Sequence, residues 1–328
     1  MGMALHRGGS VELRGAYSAA GWATLAGMRG RALSLVAIAA MVAMAVVVPG
    51  CGGDDVSEAT SVSVVGTTST SSSTSTSSTS TSTTSTSTTT TLVVPTEPCA
   101  RIAFDVAART PGSTQVIVVR VANATDTVGV LQVADLSPSG GQCGSERRAR
   151  VGRSGVRPLV ERRSGDGTTP AGVFPLGVMT AWDGQQFSFF GNSADPGVVA
   201  GTYREVQPGD CFGATPNDPD YGHLVQRPQA QCPGPDDEYL PKYTGAYEHA
   251  ALIGANMEPD VSGDAPGETP YAAAIFLHRQ SYDSNGASKP TAGCVSLGLD
   301  DLVTVLRSMR PGVQFAIGTE EWLLAGDW

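Results

Sequence analysis

From residue 99 onward, short apolar runs alternate with intervals rich in glycine, proline and polar residues. The runs at residues 116–121 and 128–133 are β-branched and of strand length, and 187–190, 251–255, 273–277 and 314–317 follow the same pattern. One segment has helical rather than strand periodicity. Across residues 298–310, Leu302, Val305, Leu306 and Met309 fall on one face, acidic residues open the segment, and Arg310-Pro311-Gly312 closes it. The pattern predicts a mainly β domain with a little helix.

The first third of the chain reads differently. Arg7, Arg14, Arg29 and Arg31 precede an Ala/Val/Met-rich run at residues 32–48, the order of an export signal. Val48-Pro49-Gly50-Cys51 resembles a bacterial lipoprotein cleavage box, which implies lipidation of Cys51. The alternative is an uncleaved membrane anchor. In either case the remainder is expected outside the cytoplasm, at the outer face of the membrane or in the cell wall. Residues 57–91 are almost entirely Ser and Thr, too poor in apolar side chains to offset the entropy of ordering. They read as a disordered tether. The expected division is a targeting segment at 1–50, a linker at 51–97 and a folded domain at 98–328.

Composition narrows the partners. With 21 Lys+Arg against 31 Asp+Glu and a net charge of −10, the chain lacks the basic surface that nucleic acid requires. Its main basic cluster, Arg147, Arg148, Arg150, Arg153, Arg157, Arg162 and Arg163, reads as solvated strand edges and loops. The four histidines have no metal-ligand spacing, so no metal or other cofactor is expected. His223 and His249 read as surface histidines.

The cysteines carry more information. With Cys51 set aside for lipid, five remain in an oxidising compartment, an odd number. Cys99 and Cys143 bracket the first two strands, and Cys211 and Cys232 bracket a loop rich in Pro, Asp and Gly. These are the expected disulfides, although four cysteines allow three pairings. Cys294 is left over. Sixteen residues upstream, an apolar run delivers His278, and Gly293 directly precedes the sulfur. A thiol with a nearby imidazole and a flanking glycine suits nucleophilic catalysis; taken alone, the pair also fits a buried structural cysteine and a loop-capping histidine.

A wider pattern bears on that choice. Arg162-Arg163-Ser164-Gly165-Asp166-Gly167-Thr168-Thr169-Pro170-Ala171-Gly172, followed far downstream by Ile275-Phe276-Leu277-His278 and Pro290-Thr291-Ala292-Gly293-Cys294-Val295, resembles the L,D-transpeptidase (YkuD-type) family. The likeness spans residues 115–318. It implies a mainly β fold of sandwich type with one or two short helices, a nucleophile at Cys294, a base at His278, and the peptide stems of bacterial peptidoglycan as substrate. Gly293 matches the glycine beside the nucleophile and Thr291 the residue that opens the motif. Ala292 stands where the family commonly has a second histidine, and Ser296 where it commonly has Arg or Asn, which points to a divergent TAGC branch.

The implied reaction is attack of the Cys294 thiolate on a stem-peptide carbonyl, with the backbone N–H groups of Gly293 and Cys294 as expected oxyanion donors. D-Ala then leaves, and the thioester passes to an amine. Transfer to water would make the protein a carboxypeptidase or amidase, and loss of activity would leave a peptidoglycan-binding module. Around the pair, Arg279 is a candidate partner for a substrate carboxylate, Tyr247 for a groove wall, and Asn256 for orienting His278. Asp166 and Gly167 are expected to shape a turn.

The signal also locates the start of translation. Met28-Arg29-Gly30-Arg31 supplies a compact positive segment, whereas a signal beginning at Met1 has an unusually long one. A reporter fusion with Met1 removed and Met28 intact is expected to keep its expression; loss of all expression would place the start at Met1.

Overall fold

The computed structural model describes residues 94–328, except 138–139, 233, 235 and 258–267. The export segment, Cys51 and the Ser/Thr tract lie outside the described residues. Most strands join one mixed sheet of 12. Its order is Tyr203–Glu205, Phe189–Gly191, Ala250–Leu252, Phe276–Arg279, Val295–Leu297, Arg147–Arg150, Val128–Ser137, Gln115–Val121, Val313–Thr319, Thr169–Pro175 and Val156–Pro158. Gly140–Cys143 pairs with Val128–Ser137 off this path, and sheets of three and two strands complete the β structure.

Gln115–Val121 is buried at every position, which explains why it reads as a continuous apolar run rather than an alternating one. Ile117, Val119 and Val121 face the largest core cluster. Val116 and Val118 face a second cluster built with the helices α1 (Pro98–Arg109) and α3 (Glu320–Ala325). The helix expected at 298–310 is α2 (Leu299–Ser308), which buries Leu302, Val305 and Leu306. Among the described residues, no helix is long and apolar enough to cross a membrane.

Among the described residues, three α-helices stand where one or two were expected. Residues 98–109 carry a helical stripe of Cys99, Ile102, Ala103 and Val106. The Glu97 carboxylate caps this helix by accepting from the N–H groups of Cys99 and Ala100 at 3.1 and 2.8 Å. α3 is capped by Thr319, whose hydroxyl accepts from Trp322 N–H at 3.2 Å. Strand limits also move. The run at 273–277 becomes a strand only at Phe276, because Ala274 has φ 53°, a left-handed turn conformation that no strand residue adopts. The run at 187–190 breaks at Ser188, which splits its bonds: its N–H donates to Thr202 O, and its carbonyl accepts from Leu252 N–H.

Cys99 is bridged to Cys143 and Cys211 to Cys232, across sequence separations of 44 and 21. Two such bridges suit an oxidising, extracytoplasmic compartment. The first ties α1 to the sheet, and the second staples the three-stranded sheet, whose Glu238 borders a small pocket beside Cys294. Loop-closure entropy ranks them, at about 4 and about 3 kcal/mol. Replacing Cys99 and Cys143 by Ala is therefore expected to lower the urea midpoint more than replacing Cys211 and Cys232, and equal midpoints would reject that ranking.

Candidate active site

The candidate site is built where two parallel neighbours meet. Phe276–Arg279 pairs with Val295–Leu297 in the register Leu277↔Val295 and His278↔Ser296. Side chains alternate across a sheet. Leu277, Val295 and Leu297 therefore enter the main core, while Phe276 and Cys294 enter the aromatic cluster on the opposite face. His278 shares the face of Phe276, so the thiol and the imidazole project to the same side from adjacent strands. Both are nearly buried, at 7% and 8% exposure.

The histidine carries a defined tautomer. Its Nδ1 lies 2.7 Å from the Arg279 carbonyl and donates to it, which leaves the Nε2 lone pair as the basic position. Burial holds its pKa down at about 4, against the raising effect of the carbonyl bond. The Cys294 thiol donates to the Ala274 carbonyl at 3.2 Å and accepts from Phe276 N–H at 3.4 Å. Among the described residues no hydrogen bond joins it to His278. Burial, and after it the charge of Glu238, push the thiol up to about 12. At neutral pH the resting pair is thus thiol and neutral imidazole.

A small pocket of about 80 Å³ opens on the sulfur, bordered by Cys294, Gly293, Ala292, Ala274, Glu238 and Arg162, among others. Glu238 Oε2 accepts a hydrogen bond from the Tyr247 hydroxyl. Burial raises the pKa of this carboxyl to about 7 despite that bond. Tyr247 stands between the groups, its ring edge-on to His278 at 5.5 Å and to Phe276 at 5.7 Å.

Arg162 departs from the expectation for the basic cluster. It is 2% exposed, not solvated. Its Nη2 lies 3.7 Å from Asp166 Oδ1, while Nε and Nη1 have no hydrogen-bond partner among the described residues. Burial lowers its pKa, with Asp166, Tyr221 and Cys294 opposing in that order. Each unmatched buried donor costs about 1–3 kcal/mol. The residue was visible as the start of the RRSGDG run, but its burial follows from the turn and not from its neighbours. Asp166 accepts from Thr168 N–H at 2.8 Å, from its hydroxyl at 2.6 Å and from Arg163 N–H at 2.9 Å. Gly165 and Gly167, at φ 83° and 80°, complete this turn in the left-handed region. Glu238 had no signal in the sequence at all.

Other expected site residues find partners within the protein. The Gly293 N–H donates to Thr291 Oγ1 at 3.1 Å, so this oxyanion donor is engaged inside the turn. Thr291 Oγ1 in turn donates to the Cys294 carbonyl at 2.6 Å, which closes the turn before the sulfur. Arg279 is salt-bridged to Glu248, which occupies the cation proposed for a substrate carboxylate. Asn256 donates from Nδ2 to the Ala272 carbonyl at 3.1 Å, bracing the approach to the histidine strand. Tyr247 is core at 5% exposure while still touching His278. His249 is buried rather than exposed, because the Tyr203 hydroxyl partners its Nδ1 at 3.0 Å; His223 is exposed as expected. No protein-family model, curated protein or solved structure matches this chain.

The two displaced titrations oppose each other. His278 is held near 4 against 6.5, so its neutral burial stabilises fully above 6.5 and is lost as pH falls toward 4. Glu238 is held near 7 against 4.5, so its protonated burial stabilises fully below 4.5 and is lost as pH rises toward 7. Each amounts to roughly 3 kcal/mol at full burial, trimmed for Glu238 by its partial exposure. Between these limits the native protein is expected to show a shallow pH dependence of stability. Glu238→Gln should leave a stability that falls on acidification, and His278→Gln one that falls on alkalinisation. Urea midpoints across this range test it; identical profiles for all three proteins would exclude the assignment.

Proposed function

We propose that this chain is a peptidoglycan L,D-transpeptidase of YkuD type, with Cys294 as nucleophile and His278 as base. The observation that carries the reading is the thiol and the imidazole on one face of paired strands, with the thiol at the wall of a pocket. Cys294 is also the one unbridged cysteine among the described residues, in a domain that otherwise stores its thiols as disulfides. The GDGTTPAG and TAGC segments, distant in sequence, meet beside it.

In this reading a stem peptide enters the pocket and the thiol leaves the Ala274 carbonyl. Its proton passes to His278 Nε2 as sulfur attacks the carbonyl carbon, because neither ion is stable alone in so buried a site. The tetrahedral intermediate collapses to a thioester while the imidazolium returns the proton to the departing amine. A second amine then attacks the thioester, and the thiol is restored. With Ala292 in place of a second histidine, His278 carries both proton transfers. The lipid or N-terminal anchor and the Ser/Thr tether would hold the domain near the wall.

A carbapenem tests the first half of the cycle. Mass addition is expected on the unmodified protein and not on Cys294→Ala. No adduct on a folded protein would favour a wall-binding module. Muropeptide products resolve the second half: crosslinked dimers are expected, and trimmed tripeptides would instead mark a carboxypeptidase.

A further inference from the structure

We infer that Ser296 is a positioning residue for the proposed base: its hydroxyl accepts the Nε2–H of His278 while the imidazole carries the proton taken from the thiol. The inference rests on the proposed acyl-transfer reading, in which His278 is that base. Ser296 stands where the resembled family commonly has Arg or Asn, so the hydroxyl is a feature of this chain.

The residue is 1% exposed, and its Oγ has no hydrogen-bond partner among the described residues. Buried hydroxyls are ordinarily partnered, because an unmade bond costs the group its hydration with no return. The strand pairing gives the direction in which this one points. Leu277, Val295 and Leu297 enter the main core, so His278 and Ser296, which alternate with them, project from the opposite face. The two are also direct register partners on adjacent parallel strands. On its other side Ser296 pairs with Arg150, whose guanidinium donates to Ser288 Oγ at 2.9 Å and Thr127 Oγ1 at 3.3 Å.

The histidine needs such a neighbour in one state only. Its Nδ1–H is committed to the Arg279 carbonyl at 2.7 Å. In the neutral ring Nε2 is an acceptor; after taking the thiol proton it becomes a donor, in a site where burial disfavours the ion. The sulfur is by then bonded to the carbon it attacked. Of the titratable neighbours, Tyr247 packs its ring edge-on against the imidazole and turns its hydroxyl to Glu238. A hydroxyl left open in the resting protein fits this interval. It accepts the N–H through a lone pair and loses no proton, so the transfers at His278 stand unchanged: the proton arrives from sulfur and leaves on the departing amine.

Ser296→Ala separates this role from a structural one. Removing a hydroxyl that makes no bond is expected to leave the urea midpoint unchanged or raised. In the full chain carrying Cys294→Ala, where no chemistry occurs, NMR titration should show His278 binding its proton about tenfold more weakly once Ser296→Ala is added. With the thiol present, carbapenem acylation at neutral pH should slow by a similar factor, and Ser296→Thr should restore both readings. An unchanged His278 titration in Ser296→Ala would overturn the inference. So would a lowered urea midpoint, which would mark the hydroxyl as part of the fold's own bonding. Absence of carbapenem acylation in the unmodified protein would count against the proposed function instead, and the titration made without the thiol would still decide the role of Ser296.

Discussion

Two hydroxyls converge on the carbonyl of Cys294: Thr169 Oγ1 donates to it at 3.1 Å and Thr291 Oγ1 at 2.6 Å. One belongs to the segment that follows the GDG turn, the other to the turn that precedes the sulfur. This double clamp sets the backbone from which the thiol projects, and the rest of the site is arranged around it. Thr169 Oγ1 also accepts from Gly152 N–H at 2.8 Å, while Thr291 exchanges backbone bonds with Val151 and Arg153. The strand edge at 147–153, the GDG turn and the TAGC turn are thus one hydrogen-bonded unit. Loss of either hydroxyl would leave a buried carbonyl short of a partner and free the turn to shift.

On that frame, the pairing of Phe276–Arg279 with Val295–Leu297 converts sequence distance into proximity. The two strands run parallel, so the chain must return the length of the sheet between them, and residues 280–294 make that return as a loop. The loop keeps itself in order through the Asp283 carboxylate, which accepts from the N–H groups of Asn285 and Ala287 at 2.8 and 2.9 Å. Register then decides the chemistry. A slip by one residue would turn His278 into the aliphatic core and Leu277 into the pocket.

Burial gives the site its electrostatic character. Removing water favours the neutral form of each group, so the thiol rises, the imidazole falls and the Glu238 carboxyl rises together. Tyr247 follows the same rule, its hydroxyl held well above its ordinary range by burial and by Glu238. Burial lowers the Arg162 guanidinium by the same rule, with the nearby Asp166 carboxylate opposing it.

Much of this was readable along the chain where the cause was local. The apolar runs at 116–121, 128–133 and 314–317 are strands because β-branched residues pack on a pleated surface. Cys294 stood out because the other cysteines of the domain pair off, and the GDG glycines because their turn needs positive φ. The limits of the histidine strand were not readable, since Ala274 takes its left-handed conformation from packing and not from its own preference. Nor were the partners that claim Arg279, Thr291 and the Gly293 N–H, because a side chain's unmet hydrogen bonds depend on which strand folds over it. Arg162 makes the division plain. Its residue type supplied a permanent charge, and the sequence placed it among six other arginines that suggest a wet surface. Only the tertiary structure buried that charge beside the thiol, because burial is set by what the whole chain lays against a residue.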